Sequence, residues 1–377
     1  MRKAVFLHSP EFDQIPYPPA CPFDSSRAGR TRQTILAMGL LGGPSRAERA
    51  PVAATRAELA AYHTPHYLDV LAAAQGGHLD VDGLAMGLGT PDCPLFAGMY
   101  DYAALAAGAS LTGARCLLHG EADVAFNPSG GYHHAMAARA AGFCYLNDVV
   151  LAAMELAAAG RKVLFLDIDV HHCDGVQDAF YGRRDILTLS LHETGRALFP
   201  GTGFEEEIGA GEGIGYTVNI PLPVGTDDTA YRRAFAEAAW PVMQAFGPDV
   251  IIVEIGMDAL AGDPLAHLHL TNNVHAEILA RVVGMGKPIL ATGGGGYHIE
   301  NTVRGWALAW SVLCGEQADE DDFTMGMGGV MLQNTDWAGG LRDRVLLSGG
   351  GRRDAIDAEI TATIAKIRRL VFPHHGL

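Results

Sequence analysis

The chain has 377 residues, of which 49% are hydrophobic and 19% are charged. This is the composition of a globular protein, and it excludes disorder for most of the chain. The formal net charge of −16 argues against a nucleic-acid partner, because nonspecific binding of nucleic acid depends on clustered lysine and arginine. An acidic surface instead favours a cationic substrate, such as a lysine-rich peptide or a polyamine.

The N-terminal residues and the cysteines together predict a cytoplasmic location. The apolar run before His8 is too short for a signal peptide, and no apolar stretch reaches about 18 residues, so no membrane association is expected. The six cysteines are widely spaced and include no CxxC pair, which fits a reducing compartment. The sequence gives no indication of the oligomeric state.

Short apolar runs alternate with longer Ala/Leu-rich stretches along the chain. The expected strands are residues 3–7, 124–126, 163–168, 186–191, 250–255 and 288–291. The expected helices are residues 100–118, 147–159, 229–246, 273–283 and 303–313, followed by a C-terminal helical extension at about 354–370. Because the strands are apolar throughout, we expect an α/β fold with a mostly parallel central β-sheet flanked by helices on both faces.

Between these elements the chain shows no internal repeat, low-complexity run or linker. Residues 1–377 are therefore expected to form a single domain. Residues 47–61 are expected to form a surface helix with a loop, and the acidic residues 316–322 a solvated loop.

Acidic and histidine side chains follow the strand at 163–168. On an extended backbone Asp167, Asp169 and His171 share one face, because side chains alternate with a period of two. Asp258, which follows the strand at 250–255, could complete a set of two aspartates and one histidine that leaves a position open for water, as catalytic zinc sites require. The alternative is a polar loop that caps the next helix, with Asp174 at its N-cap.

Two further segments carry groups suited to proton transfer. His133 and His134 lie in a glycine loop after the strand at 124–126, where they could act as general base and general acid, each tuned by a carboxylate such as Asp167 or Asp174. Four glycines precede Tyr297, so the backbone there can approach a ligand closely and the phenol can donate to an oxyanion. This glycine loop lacks the lysine and Ser/Thr of a phosphate-binding loop.

Six ordered blocks carry a family resemblance. They read PSGGYHHA, GFCYLND, LDIDVHHCDGVQDAFY, FPGTG, GDPLAHL and GGGGY, within roughly residues 20–313. In this pattern the chain resembles the histone deacetylase superfamily, which has the arginase-deacetylase fold, and is most similar to the class I and the bacterial acetoin-utilisation (AcuC-type) deacetylases. The resemblance implies zinc-dependent hydrolysis of the Nε-acetyl-lysine amide of a protein or peptide, with release of acetate by metal-activated water.

The resemblance also implies a role for each matching position. The implied zinc ligands are Asp169, His171 and Asp258. The implied catalytic groups are His133, His134 and Tyr297, with Asp167 and Asp174 as the carboxylate partners of the two histidines. The implied substrate-binding positions are Asp92 at the rim, Gly142, Phe143 and Phe199 in the acyl-lysine tunnel, and Leu265 as gatekeeper. Arg27 would line the product-exit channel. A structural potassium ion would lie near Asp167, Asp169, His171, Ser190 and Leu191, bound largely by their backbone.

Four positions depart from the family pattern without removing a catalytic group. Cys173 stands where glycine is usual, and Glu254 stands where glutamine is usual. A buried Glu254 must be protonated or paired, so the electrostatics of the metal site are expected to differ. Cys21 replaces a common histidine, and Met257 replaces a smaller residue.

Several alternatives remain. Fe²⁺ or Co²⁺ could replace Zn²⁺ at an Asp/His/Asp site. An acetylpolyamine amidohydrolase would be expected to carry an acidic gatekeeper, against which Leu265 argues, and a ureohydrolase would need a second metal and an Asp at position 256, where this chain has Gly256. Two other possibilities are a longer-chain lysine deacylase and a catalytically silent acyl-lysine binder. A silent binder usually lacks a metal ligand or the catalytic tyrosine, and this chain has both. The spacing leaves open which histidine is the base.

Overall fold

A computed structural model describes residues 2–316, 340–344 and 350–377. Residues 317–322 of the expected acidic loop lie outside the described residues. The strands are β1 (Ala4–Leu7), β2 (Arg46–Arg49), β3 (Val124–Asn127), β4 (Val163–Asp167), β5 (Ile186–Glu193), β6 (Thr217–Leu222), β7 (Val250–Glu254) and β8 (Ile289–Thr292). They form one eight-stranded sheet in the order β2-β1-β3-β8-β7-β4-β5-β6, and every described pair of neighbours is parallel.

Helices cover both faces of this sheet. They are α1 (Ser26–Ala37), α2 (Arg56–Leu59), α3 (Pro65–Gln75), α4 (Val81–Ala85), α5 (Met99–Leu118), α6 (Asp148–Ala158), α7 (Asp174–Phe180), α8 (Asp228–Ala234), α9 (Trp240–Phe246), α10 (Asn272–Gly284), α11 (Ile299–Leu313) and α12 (Gly350–Leu370). Leu164 and Leu166 of β4 pack into a core with α8 to α12, whereas Val163 and Phe165 pack into a second core with α3, α5 and α6. The expected α/β fold with a parallel, doubly covered sheet is therefore confirmed.

The structure corrects two local predictions. Residues 47–61 do not form a helix with a loop, because residues 46–49 add the edge strand β2 and only Arg56–Leu59 is helical. A capping box at Thr55 and Glu58 starts that short helix. The helix expected at 229–246 is interrupted by a π-helical turn, Phe235–Ala239, between α8 and α9. Among the described helices, none is long and apolar enough to span a bilayer.

The strand order matters for function because it places β3, β8, β7 and β4 side by side. In a parallel sheet the residues that follow these strands emerge at one edge, where ligands bind in open α/β folds. The register pairs Glu254 at the end of β7 with Asp167 on one side and Thr292 on the other. The polar residues at the ends of these three neighbouring strands therefore lie side by side in register.

Candidate active site

Asp169, His171 and Asp258 meet at this edge of the sheet. All three are buried, and their ligand atoms lie within 4.8 Å of one another. His171 Nδ1 lies 3.0 Å from Asp258 Oδ2 and 3.2 Å from Asp169 Oδ1. Backbone N–H groups orient both carboxylates, since Val170 donates to Asp258 Oδ1 at 3.0 Å and Gly295 donates to Asp169 Oδ2 at 2.6 Å. The distant segments that carry these residues are thus held together as one group of donors.

Two glycines leave the room that this group occupies. A Cβ at Gly295 would lie 1.9 Å from Asp258 Oδ2, and a Cβ at Gly256 would lie 2.0 Å from Asp169 Oδ2. Neither glycine could gain a side chain without moving a carboxylate. One imidazole and two carboxylates in a buried, tightly packed group are the donor set of a divalent transition metal such as Zn²⁺, and buried carboxylates are costly unless paired or metal-bound. The residues present therefore fit a metal ion.

The pKa values of His171 and Asp258 are both raised in this group. Burial lowers the pKa of His171, but hydrogen bonds to Asp169 and Asp258 outweigh that effect and raise it to about 10. Burial, followed by repulsion from Asp169, raises the pKa of Asp258 to about 7. Negative charge is thus concentrated where a proton and a metal ion would compete for the same ligands.

The two histidines of the glycine loop lie against each other and against separate carboxylates. Nδ1 of His133 donates to Asp167 at 2.8 Å, Nδ1 of His134 donates to Asp174 at 2.7 Å, and the two Nε2 atoms are 3.0 Å apart. Asp174 is the first residue of α7, whose N-cap is Cys173, so the alternative with Asp174 as N-cap is wrong.

Their pKa values move in opposite directions. Burial lowers the pKa of His133, but the charges of Glu254 and Asp167 outweigh burial and raise it well above its ordinary value. Burial and repulsion by His133 lower the pKa of His134 to about 4. At neutral pH the pair therefore holds its extra proton on His133, and His134 is neutral.

Tyr297 stands at the mouth of the glycine loop, just before α11. Asp263 Oδ2 accepts the backbone N–H of Tyr297 at 2.8 Å, which fixes the backbone position from which the tyrosine side chain extends. Burial, followed by the charges of Asp258 and Asp169, raises the pKa of the phenol well above its ordinary value, so the hydroxyl remains a donor at neutral pH. Arg27 clamps the preceding turn by donating to the carbonyls of Gly294 and Gly296. In the structure it supports the loop that carries the tyrosine.

Two of the three expected tunnel residues, Gly142 and Phe143, line a narrow cavity. Its volume is ≈ 20 Å³, space for one water-sized group, and its lining includes Gly142, Phe143, His134, His171 and Tyr297. Gly142 and Phe143 have positive φ angles of 52° and 66°. A Cβ at Gly142 would meet His134 Cδ2 at 2.4 Å, so a glycine is required there.

The remaining substrate positions lie farther out. Phe199 is 42% exposed, and its ring centroid lies 4.9 Å from that of His134. Asp92 is exposed, and its backbone carbonyl accepts the N–H of Phe143 at 3.0 Å. Leu265 is half-buried and its N–H donates to Asp263, but among the described residues it is not part of the cavity lining.

The residues expected around potassium cluster beside the metal group. β4 and β5 pair Asp167 with Ser190, and Asp167 Oδ1 accepts the N–H of Asp169 at 2.9 Å. His192 Nε2 donates to the Gly203 carbonyl, so its Nδ1 accepts the Ser190 hydroxyl at 2.7 Å. The serine oxygen keeps its lone pairs for a cation, and potassium stays a prediction.

Three positioning carboxylates were not among the predicted site residues. Asp263 stood in the sequence only as part of the block GDPLAHL, and it accepts hydrogen bonds from the N–H groups of Leu265 and Tyr297. Asp148 at the start of α6 is fully buried and accepts the N–H groups of Gly131 and Tyr132, which holds the histidine loop. Glu254 was noted only as a departure, and it lies 3.0 Å from His133 Nδ1. Their partners are backbone groups or side chains brought close only by folding, so the sequence carried no local signal for these roles.

A family model described as "Histone deacetylase domain" matches residues 21–313 of the chain. The chain belongs to the histone deacetylase family. The match covers the strands and loops that build the site, so the resemblance read from the six sequence blocks is confirmed.

Relatives within the histone deacetylase family agree with this assignment. The chain is 40% identical over 323 residues to acetoin utilization protein AcuC of Bacillus subtilis, covering 84% of this chain and 83% of that protein. It is 38% identical over 331 residues to histone deacetylase 8 of Xenopus tropicalis, covering 85% of this chain and 88% of that protein. A crystal structure of a histone deacetylase homologue complexed with SAHA matches with a TM-score of 0.85 at 29% identity, covering 98% of this chain and 100% of that chain. The fold is that of the arginase-deacetylase group, and the chain is a hydrolase of the deacetylase class.

Proposed function

We propose that the chain is a zinc-dependent lysine deacetylase that hydrolyses the Nε-acetyl-lysine amide of a protein or peptide and releases acetate. One observation carries this proposal. Asp169, His171, His133, His134 and Tyr297 all line the same narrow cavity. Groups that bind a metal, move a proton and donate to an oxyanion are thus gathered within reach of one small substrate group.

The metal ion would be held by Asp169, His171 and Asp258, the buried group with the fitting donor set. A Zn²⁺ ion there supplies an acidified water and polarises the amide carbonyl, and Fe²⁺ or Co²⁺ are the alternative ions. The two carboxylates are oriented by backbone N–H groups, so the chain presents its ligands in place before the ion arrives.

The histidine pair divides the proton transfers. His134 is neutral at neutral pH and is held by Asp174, so it takes the proton of the attacking water at Nε2. The same nitrogen then returns the proton to the leaving lysine amine. His133 keeps a proton on Nδ1 toward Asp167, and its positive charge stabilises the negative charge that develops on the amide oxygen. Its Nε2–H must turn away from His134 Nε2, 3.0 Å away, when that nitrogen takes the water proton.

Tyr297 stabilises the tetrahedral oxyanion by donating its hydroxyl proton as a hydrogen bond. The raised pKa of the phenol keeps this donor protonated over the working pH range. The loop that carries it is fixed by Asp263 and Arg27, so the donor is held in place before the reaction.

The cavity and its surroundings favour a short acyl group on a lysine side chain. The cavity is small, with a volume of ≈ 20 Å³, which favours the smallest acyl groups. Gly142, Phe143 and Phe199 would pack along the alkyl stem of lysine, and the exposed Asp92 would accept backbone N–H groups of the substrate at the rim. Leu265 offers no charge for a distant ammonium, which favours acyl-lysine over an acetylpolyamine.

The test is acetate release by metal-quantified protein from an Nε-acetyl-lysine peptide, with N-acetylputrescine and an Nε-octanoyl-lysine peptide in parallel. Turnover of the acetyl peptide, abolished by chelation and restored by Zn²⁺, would support the proposal. Preference for N-acetylputrescine would indicate an acetylpolyamine amidohydrolase, and preference for the octanoyl peptide would indicate a longer-chain lysine deacylase. Binding without turnover of any of them, at full metal loading, would show a silent acyl-lysine binder.

A further inference from the structure

A second and larger cavity, which we call the outer groove, adjoins the narrow one. Its volume is ≈ 670 Å³, within the range of about 300–1,000 Å³ that is usual for ligand pockets. Its lining includes Leu84, Asp92, Met136, Arg139, Asp178 and Phe199. Of these residues, the proposed function uses only Asp92 and Phe199.

Three residues of the outer groove contact residues of the narrow cavity. Asp174 lines the groove and accepts the Nδ1 proton of His134 at 2.7 Å. Phe199 lines it as well, and its ring centroid lies 4.9 Å from that of His134. The backbone carbonyl of Asp92 accepts the N–H of Phe143, which lines the narrow cavity, at 3.0 Å. A substrate whose acyl-lysine occupies the narrow cavity therefore places a neighbouring residue at the groove.

Backbone contacts hold two walls of the groove together. The N–H of Ala140, in the loop that follows the histidine pair, donates to the carbonyl of Met86 at 2.9 Å. Gly87 has φ +82°, and a Cβ there would lie 2.3 Å from the carbonyl oxygen of Ala140. Only glycine lets the two loops approach this closely, so the groove is formed before a substrate binds.

The lining combines open apolar surface with carboxylates that lack a partner. Leu84 is 54% exposed and Phe199 is 42% exposed. Asp92 and Asp178 are exposed, and neither side chain makes a hydrogen bond or an ion pair with the described residues. Lysine and arginine match such a lining, because their aliphatic stems pack on apolar surface while their charged ends reach a carboxylate.

Asp178 is well placed to receive the charged end of such a residue. It follows Asp174 by four residues in α7, so the two side chains lie one turn apart on the same face, about 6 Å along the helix axis. Asp174 is engaged with His134, whereas Asp178 is not. Three carboxylates and one guanidinium, that of Arg139, line the groove. The excess of negative charge favours a basic over an acidic residue.

We propose that the outer groove binds the residue next to the acyl-lysine in the substrate chain, and that Asp178 selects lysine or arginine there. The proposal rests on the proposed function, since the acyl-lysine must occupy the narrow cavity. An exposed ion pair contributes modestly, so the expected preference in kcat/KM is about threefold to fivefold. The ion pair is the same in the ground state and the transition state, so the preference should lie in KM and should fall as ionic strength rises.

The test uses Nε-acetyl-lysine peptides with arginine, citrulline or glutamate directly before or directly after the acetyl-lysine. Citrulline has the shape of arginine without its charge. The enzymes are the wild type, Asp178→Asn and Asp354→Asn at matched metal content. Asp354 is an exposed aspartate of α12 outside the described lining of the groove, so it controls for the loss of one surface charge.

At one of the two positions, kcat/KM for the arginine peptide should exceed that for the citrulline peptide about threefold to fivefold in the wild type and in Asp354→Asn. Asp178→Asn should turn over the two peptides equally, with its kcat/KM for the citrulline peptide unchanged. Because Asp178 is exposed, the variant is expected to fold, and its melting temperature checks this.

Equal kcat/KM for arginine and citrulline at both positions in the wild type would overturn the proposal, as would a preference that persists in Asp178→Asn. A preference for glutamate would also overturn it, because Arg139 would then be the selecting residue. Absence of turnover of every peptide would contradict the proposed function instead. The Kd values of the same peptides, measured by fluorescence anisotropy, would then decide the role of the groove by the same ratios.

Discussion

Removing only the hydroxyl of Tyr297 tests the oxyanion role most directly. In Tyr297→Phe the backbone hydrogen bond to Asp263 remains, as do the ring contacts with Phe143 and His171 at centroid distances of 5.7 and 6.4 Å. Phenylalanine keeps the same packing, so the variant is expected to fold and to bind metal like the wild type. The loss is then that of one preorganised oxyanion donor, about 100-fold to 1000-fold in kcat, or about 2.7–4 kcal/mol.

The assay is steady-state acetate release from an Nε-acetyl-lysine peptide at matched metal content, with melting temperatures of both proteins. Tyr216→Phe is the matched control, because Tyr216 is also half-buried but packs against Phe246 and His375 away from the site. We expect kcat to fall in Tyr297→Phe with little change in KM, and to stay within about twofold in Tyr216→Phe. A Tyr297→Phe enzyme that keeps more than a tenth of the wild-type kcat would refute the assigned role.

Three further predictions follow from the same geometry. Gly295→Ala should lower metal affinity at least about tenfold because its Cβ would lie 1.9 Å from a ligand oxygen, whereas Gly284→Ala, with open space around it, should not; equal metal content in both variants would contradict this. Metal affinity should rise at least about tenfold per pH unit between pH 6 and 8, because the pKa of His171 is raised to about 10 and its proton must leave. The rise should be steeper below pH 7, because the pKa of Asp258 is raised to about 7 and this ligand must also lose a proton. Calorimetry in buffers of different ionisation enthalpy should find at least one proton released, and a pH-independent affinity would argue against His171 as ligand. Asp263→Asn should lower kcat about tenfold with unchanged metal content. Asp263 accepts the N–H of Leu265 with one oxygen and that of Tyr297 with the other, whereas asparagine has one acceptor oxygen. An unchanged kcat would show that the loop of Tyr297 keeps its position without this contact.

The fold was predictable from sequence where burial leaves a continuous apolar pattern. β4 and β7 are buried at every residue, and both were located to within one residue. β2 was missed because its sequence, Arg46–Arg49, is mostly charged and partly exposed, which is what an edge strand tolerates and what resembles a surface helix. The π-helical turn at Phe235–Ala239 leaves no break in the apolar pattern, so periodicity alone could not reveal it.

The site was predictable to the extent that its residues follow strands in short motifs. Asp169 and His171 could be placed on one face by alternation, but that Asp258 reaches them depends on β4 and β7 being neighbours, which spacing does not give. The roles of Asp148 and Asp263 are to accept backbone N–H groups of remote loops. Such contacts exist only after folding, so no local pattern distinguishes these carboxylates from ordinary cap and turn residues.

The same low-dielectric environment that makes the strands easy to identify also explains the chemistry at their ends. β4 and β7 are apolar until their last residues, Asp167 and Glu254, which face each other in register and are fully buried. A carboxylate placed there can be stabilised only by a proton, an imidazolium or a metal ion. His133 serves as the imidazolium between the two, and the next turn of chain brings the metal-binding group. Burial raises the pKa of Glu254 well above its ordinary value, so this carboxyl, at a position where the resemblance leads us to expect glutamine, adds a proton-binding group beside His133 at the end of β7.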